Sequence, residues 1–229
     1  MRWSGILSEK PPGPLDWYEN LEDIPLVLAS GNPSGWFIGA VRYRPNPPVE
    51  VDVFETSVGE MDLILQDGTT ETVELVGRSE MHVYFEGEQE GEAVDDDGDG
   101  WDEVRVELVE WSLSGLSPLL GLVEVRLNPE LLSIGEMQEV ANNIPGVLEV
   151  PPFAVAGTTV DSYFDVYVEV EAGGMLLHTE QPMRWSGILS EKPPGPLDWY
   201  ENLEDIPLVL PSGNPSGYSI GAARYEPNP

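Results

Sequence analysis

The sequence predicts a mainly β protein: an antiparallel, sandwich-like repeat domain with one short helix and a Pro/Gly-rich segment. Three observations carry that prediction. Apolar and polar residues alternate with period two over most of the chain, the mark of half-buried strands. Gly-, Pro- and Asn-bearing turn signals punctuate the alternation. And residues 183–229 restate residues 1–47 at 42 of 47 positions, at a constant offset of 182.

The alternation can be followed along the chain. Val49, Val51 and Val53 share one phase, and Met61, Leu63 and Leu65 follow. Asp67-Gly68 then gives a type I′ hairpin signal ahead of Thr72–Leu75. Met81, Val83 and Phe85 make a further strand. Val104, Val106 and Leu108 keep one phase while Val109, Trp111 and Leu113 take the other, which predicts a β-bulge between them. Val123, Val125 and Leu127 continue the pattern. Residues 164–171 alternate without a break, and Gly173-Gly174 turns the chain back. The helix is predicted from Ser133, where Ser133 and Glu136 have capping-box spacing and Ile134, Met137, Val140 and Ala141 share a face. Residues 192–229 are dense in Pro, Gly and Asn. Prolines fix φ there, so the segment reads as stiff and irregular, with short strands near 206–210 and 218–222.

The duplication has the period of a whole domain rather than of a solenoid, whose repeats run about 20–50 residues. It divides the chain into residues 1–47, read as the C-terminal part of a preceding repeat, and residues 48–229, read as one complete unit of period 182. The copies differ only at Ala29/Pro211, Trp36/Tyr218, Phe37/Ser219, Val41/Ala223 and Arg44/Glu226.

The formal charge is −32, with 10 Lys and Arg against 42 Asp and Glu. That balance weighs against nucleic acid as a partner, because phosphate binding needs clustered bases. There is no cysteine, so disulfides and thiolate metal sites are excluded. No apolar run reaches about 18 residues, so no membrane span is predicted. The two histidines, His82 and His178, lie in strand-like alternation, and no nucleophile elbow, phosphate loop or zinc spacing accompanies them. The chain is therefore read as not an enzyme.

One motif stands out. Residues 86–103 hold ten carboxylates and no base, and within them Asp95, Asp97 and Asp99 occupy positions 1, 3 and 5 of an oxygen-cage loop with Gly100 at position 6. This spacing lets three carboxylates converge on one hard cation. The metal-ligating set is read as Asp95, Asp97, Asp99, the carbonyl of Trp101, and Asp102 or Glu103, with calcium as the cofactor. Position 12 is Val106, so the loop departs from an EF-hand. Trp3, Trp17, Tyr18 and Trp36, with Trp185, Trp199, Tyr200 and Tyr218, are read as packing residues before sugar-stacking ones. Glycans are a possible ligand.

Residues 142–153, residues 162–167, the aspartate loop and the Lys-Pro-Pro-x-Pro stretch resemble segments of tandem repeats in long secreted or surface proteins of environmental bacteria. The resemblance implies an extracellular or cell-surface, calcium-loaded β-domain. On that basis the expected role is a structural repeat unit of an extracellular filament or surface fibre, joined head to tail to neighbouring repeats of the same protein. The alternative is a multivalent adhesin or carbohydrate-binding repeat module.

Overall fold

A computed structural model describes residues 49–229 apart from Glu88 and, in the first 48 residues, the strands β1 (Ser4–Ile6), β2 (Trp17–Asn20), β3 (Ile24–Val27), β4 (Pro33–Ile38) and β5 (Val41–Tyr43). Twelve further strands follow: β6 (Val49–Ile64), β7 (Thr70–Tyr84), β8 (Glu103–Ser117), β9 (Gly121–Leu127), β10 (Ser133–Glu139), β11 (Val160–Val166), β12 (Val168–Ala172), β13 (Met175–Thr179), β14 (Met183–Leu189), β15 (Tyr200–Asn202), β16 (Ile206–Val209) and β17 (Pro215–Glu226).

The pairings close on themselves. β6 pairs with β7 and β7 with β8, while β8 carries β9 on its second half and β10 on its first. β9 and β10 therefore run end to end as one stave. By the same logic β12 and β11, β13 and β14, and β16 and β15 make three more split staves. β17 pairs with both β15 and β16 and returns to β6. The result is an eight-stave, up-and-down antiparallel barrel. It replaces the expected sandwich, in which the first and last strands would have remained edges.

Interior positions follow the alternation seen in the sequence. Met61, Leu63, Val73, Leu75, Met81 and Val83 are all buried. An eight-stave barrel is just wide enough for side chains to fill it, and aromatic rings meet at its centre. Trp111 of β8 stands edge-on to Trp185 of β14 and to Tyr225 of β17, each at 5.7 Å between centroids, and Phe164 meets Tyr200 at 5.4 Å. Only a void of about 10 Å³ remains among these rings, room for a single water at most. The Tyr225 hydroxyl donates to Ser79 Oγ at 2.5 Å, Ser79 and Ser57 hydroxyls are 2.8 Å apart, and Ser57 donates to the Pro227 carbonyl. This buried chain ties β17 to β6 and β7. Burial pushes the Tyr225 hydroxyl up to about 12.

Several local expectations change. No helix occurs among the described residues. Residues 133–139 form β10, hydrogen-bonded on both sides to β8 and β11, and Ser133 Oγ accepts the Tyr167 N–H instead of capping a helix. Two partner strands outweigh a weak helical preference, and Gly135 permits the close approach, since a Cβ there would overlap the Tyr163 carbonyl. At the β6–β7 turn only Gly68 has positive φ, at 83°. Its N–H bonds the Leu65 carbonyl at 2.9 Å, so the turn is type I with a following left-handed glycine rather than type I′. The bulge falls where the phase change predicts it, with Glu80 opposite Glu110 but Met81 opposite Leu108. The Pro/Gly-rich segment is more regular than expected, because it supplies the closing stave, β17.

The outer wall is crowded with charge. Glu60 faces Glu74, Glu80 faces Glu110, and Glu124 faces Glu171 directly across strands. Arg78 spans Glu55, Glu80 and Glu110, and Arg126 bonds Glu169 at 3.0 Å. Lys192 differs from these surface arginines: its side chain is 1% exposed, its ammonium donates to Asp52, and it forms an ion pair with Glu50 at 3.2 Å. The bridge fastens the loop after β14 to the first half of β6. Burial pushes Asp52 above the usual carboxylate range even against the pull of Lys192.

Removing one partner of such a bridge leaves a buried charge uncompensated, at a cost of about 3–5 kcal/mol. Lys192→Met is expected to destabilise the barrel by about 3 kcal/mol at neutral pH, read by urea denaturation, because Asp52 can relieve part of the cost by taking up a proton. A raised folded-state pKa favours folding at low pH, so the deficit should shrink as pH falls towards 5. Lys192→Met with Asp52→Leu should recover most of the loss.

Candidate functional site

The aspartate loop hangs between Val94 and Glu103, which bridge each other at its base. Gly98 and Gly100 have φ of 84° and 99°, values that allow the chain to fold back tightly. Asp95 accepts the N–H groups of Gly98 at 2.6 Å and Gly100 at 3.0 Å. Asp97 accepts that of Asp99 at 3.0 Å, and Asp99 that of Trp101 at 2.9 Å. These bonds turn the three side chains inward, and one carboxylate oxygen from each of Asp95, Asp97 and Asp99 lies within 4.8 Å of the others. Gln138 donates to Asp99 from β10 at 2.9 Å.

The remaining residues of the expected ligand set flank these three aspartates. Trp101 is exposed. Asp102 is buried and its carboxylate accepts the Gly146 N–H at 2.5 Å and the Asn142 amide at 3.3 Å, pinning residues 142–146. Glu103 is buried beneath the loop. One of its oxygens accepts the Asp96 N–H at 2.5 Å and the other has no hydrogen-bond partner. Burial pushes its carboxyl up to about 7. Glu136 on β10 is also raised, first by burial and then by Asp96, Asp97 and Asp99.

A groove of about 570 Å³ lies on the outer wall of β11, β14 and β15. It exists because β14 and β15 pair only at Ser186 and Glu201, so the wall opens beside them. Gly187 lines its floor, where a Cβ would overlap the Trp199 carbonyl. On one side the Arg184 guanidinium sits 4.1 Å over the Tyr163 ring and holds Asp165 through two bonds of 2.8 and 2.6 Å. Trp199 lines the groove as well, and the Arg224 guanidinium, outside the groove lining and paired with Glu226 at 2.8 Å, lies 4.4 Å from its ring centre. Trp199 is 41% exposed. A second recess of about 280 Å³, lined by Asp96, Glu103, Arg105, Glu136 and Asp165, adjoins the groove at Tyr163.

Sequence reasoning named Trp199 and Tyr200 together without separating them. The alternation could have done so: Tyr200 is fully buried, so its neighbours Trp199 and Glu201 face out. Arg184, Tyr163 and Arg224 were missed, since only the barrel brings three distant strands side by side. Trp185 belongs to the core, and Tyr218 packs against it. His82 bonds Glu80 at 3.0 Å, away from the groove. The side chains of Trp3, Trp17, Tyr18 and Trp36 lie outside the described residues.

No family model and no curated protein matches the chain. Among solved structures the barrel is similar to DynF from the dynemicin biosynthesis pathway of Micromonospora chersina, with a TM-score of 0.58 and 19% identity over 79% of this chain and 81% of that one. The neighbour is a biosynthetic-pathway protein rather than a fibre repeat. The expectation of a structural unit of an extracellular filament or fibre is corrected on that finding, as is its adhesin alternative. The exclusion of an enzyme is corrected with them.

A carboxyl that stays protonated to about 7 when folded, but loses its proton near 4.5 otherwise, favours the folded state at low pH. In the presence of chelator, melting temperature should therefore fall as pH rises through about 7. Glu103→Gln should flatten that slope while leaving the acid side unchanged, which thermal melts from pH 5 to 8.5 can read.

Proposed function

We propose that this barrel is a small-molecule-binding domain, with the groove of Tyr163, Arg184 and Trp199 as its binding surface and calcium as a stabilising ion in the aspartate loop. The observation that carries the first half is the exposed Trp199 face set opposite the Tyr163–Arg184 stack across a groove of about 570 Å³. Small-molecule sites are concave, largely apolar and marked by a few placed polar groups. Inside the barrel the aromatic cluster leaves a void of only about 10 Å³. A flat aromatic ligand with an anionic edge suits the Tyr163 and Trp199 rings and the Arg184 guanidinium. The likeness to a biosynthetic-pathway protein supports a small-molecule role over a mechanical one. Catalysis is favoured by one specific feature, the adjoining recess, where Glu103 is buried with one oxygen that has no hydrogen-bond partner and could exchange a proton with a ligand reaching past Tyr163.

Calcium is supported by the donor set. Three carboxylates within 4.8 Å supply hard oxygens and no nitrogen or sulfur, which suits a hard cation. The Trp101 carbonyl and water would complete the shell. An exposed loop of this kind fits the weak affinities of extracellular modules, about 10⁻⁴–10⁻³ M, which keeps an extracellular or surface location as part of the proposal.

The groove is tested with 8-anilinonaphthalene-1-sulfonate, a flat aromatic anion. Binding should quench Trp fluorescence, and Trp199→Ala should weaken it about tenfold, roughly 1.4 kcal/mol. Equal affinity in the variant would remove the groove from the account.

Calcium at about 100 times its dissociation constant should stabilise the fold by about 2.7 kcal/mol. Chelation should reverse the gain, and Asp97→Ala with Asp99→Ala should abolish it. Melts that coincide with and without chelator would refute the site.

A further inference from the structure

β6 begins with its polarity inverted. Val49, Val51 and Val53 are exposed, while Asp52 is buried and Glu50 half-buried on the face they share with Phe54. The register shift between Phe54 and Ser57 sets this phase, since a bulge re-aims the side chains on one side of it. Beyond the shift the apolar residues Met61 and Leu63 point inward as elsewhere in the wall. Carboxylates turned inward are costly unless a partner meets them. The partner here is Lys192, whose backbone N–H is fixed to the Pro151 carbonyl at 2.7 Å and whose ammonium donates to Asp52. The same nitrogen is 3.2 Å from Glu50 Oε2, an oxygen that is itself buried and has no hydrogen-bond partner. The neighbouring buried carboxylate, Asp198, is taken up by Ser190 and by the Gly195 N–H, which leaves Lys192 to β6.

We propose that Lys192 and Asp52 are a covalent modification site, at which the two side chains condense to an amide between Lys192 Nζ and Asp52 Cγ with Glu50 as the proton carrier. Glu50 passes one ammonium proton to the Asp52 carboxylate, which leaves an amine beside a carboxylic acid. The Nζ lone pair attacks Cγ and the Nζ–Cγ bond forms. Glu50 then carries a second proton from Nζ to the departing oxygen, the Cγ–O bond breaks, and water leaves. One proton stays on the amide nitrogen, the two charges cancel, and Glu50 ends as it began. The step is redox-neutral.

Three features of the site favour this reaction. The reactants are held in contact by a folded wall, so the encounter costs no further entropy. Burial disfavours the charged forms of both groups, and it pushes Asp52 towards its protonated form against the pull of Lys192, with the Glu50 carboxylate adding to the push. The base lies within reach of the nitrogen that must lose protons. The bond would join positions 140 residues apart in a chain that has no cysteine for a disulfide.

The ion pair is the state before reaction, and the intact mass of the full chain under denaturing conditions tells the two states apart. The expected mass is one water below that of the sequence. Trypsin should release the peptide ending at Arg78 joined to the one ending at Arg224, with fragment ions placing the link at Asp52 and Lys192. Lys192→Met and Asp52→Ala should show their full masses, which separates the link from water lost at the Asp-Gly steps of the acidic loop. Glu50→Gln should fold with an unchanged near-ultraviolet signal yet link about a hundredfold more slowly, leaving most of the freshly purified chain at full mass. Because it keeps the Lys192–Asp52 contact and withholds the bond, Glu50→Gln is the reference chain for the ion-pair variants. An unaltered chain that keeps its full mass after folding would overturn the proposal. So would a water loss that persists in Lys192→Met, a link that maps to Glu50, or a Glu50→Gln chain that links as fast as the unaltered one.

Discussion

Closure of β17 onto β6 is the constraint on which the rest depends. A sheet of eight staves left open would present two unpaired backbone edges, and the chain offers no helix among its described residues to cover them. Closure removes both edges and turns every inward side chain towards one axis. The aromatic cluster then follows as a consequence, since Trp111, Trp185, Tyr225 and Phe164 come from staves that meet only because the wall is round. The hydroxyl chain from Tyr225 through Ser79 and Ser57 to Pro227 lies at this same seam. It lets polar groups sit inside an apolar wall, because each donor has an acceptor.

Both functional regions are set by departures from the regular barrel. The aspartate loop joins the end of a bridge at Val94 to the start of β8, where no strand constrains it and glycines can take positive φ. The groove lies where β14 and β15 almost fail to pair. Asp102 illustrates how closely the first region is tied to the wall: it belongs to the acidic motif by sequence, yet it secures the 142–146 loop. Glu139 accepts the Asp102 N–H at 3.1 Å from the next stave. The loop that offers carboxylates to solvent is thus held by carboxylates that are themselves buried.

Most of the strands were legible in the sequence, because a half-buried wall imposes period two, and the bulge at Val109 was legible because it breaks that period. Closure was not, since alternation reports that one face is buried and not what it is buried against. A sandwich and a barrel write the same pattern. The helix expected from Ser133 to Asn142 failed for a related reason: capping-box spacing is a local preference, and β10 lies between two strands that each offer it a ladder. The aspartate spacing marked Asp95, Asp97 and Asp99, whose carboxylates converge because the geometry of the loop is local. It could not show the partners of Asp102 and Glu103, which lie on residues 142–146 and on Asp96.

The like-charged pairs on the outer wall bear on the medium in which the barrel is comfortable. Glu60 and Glu74, and Glu124 and Glu171, are held face to face by backbone registers that cannot slip without turning the core outward. Their repulsion is therefore a standing load on the wall. In dilute buffer it acts over some 30 Å, and in molar salt over about 3 Å. Dissolved electrolyte is in this sense a structural component: it relaxes a cylinder whose surface charge would otherwise press its staves apart, and it does so without occupying any site.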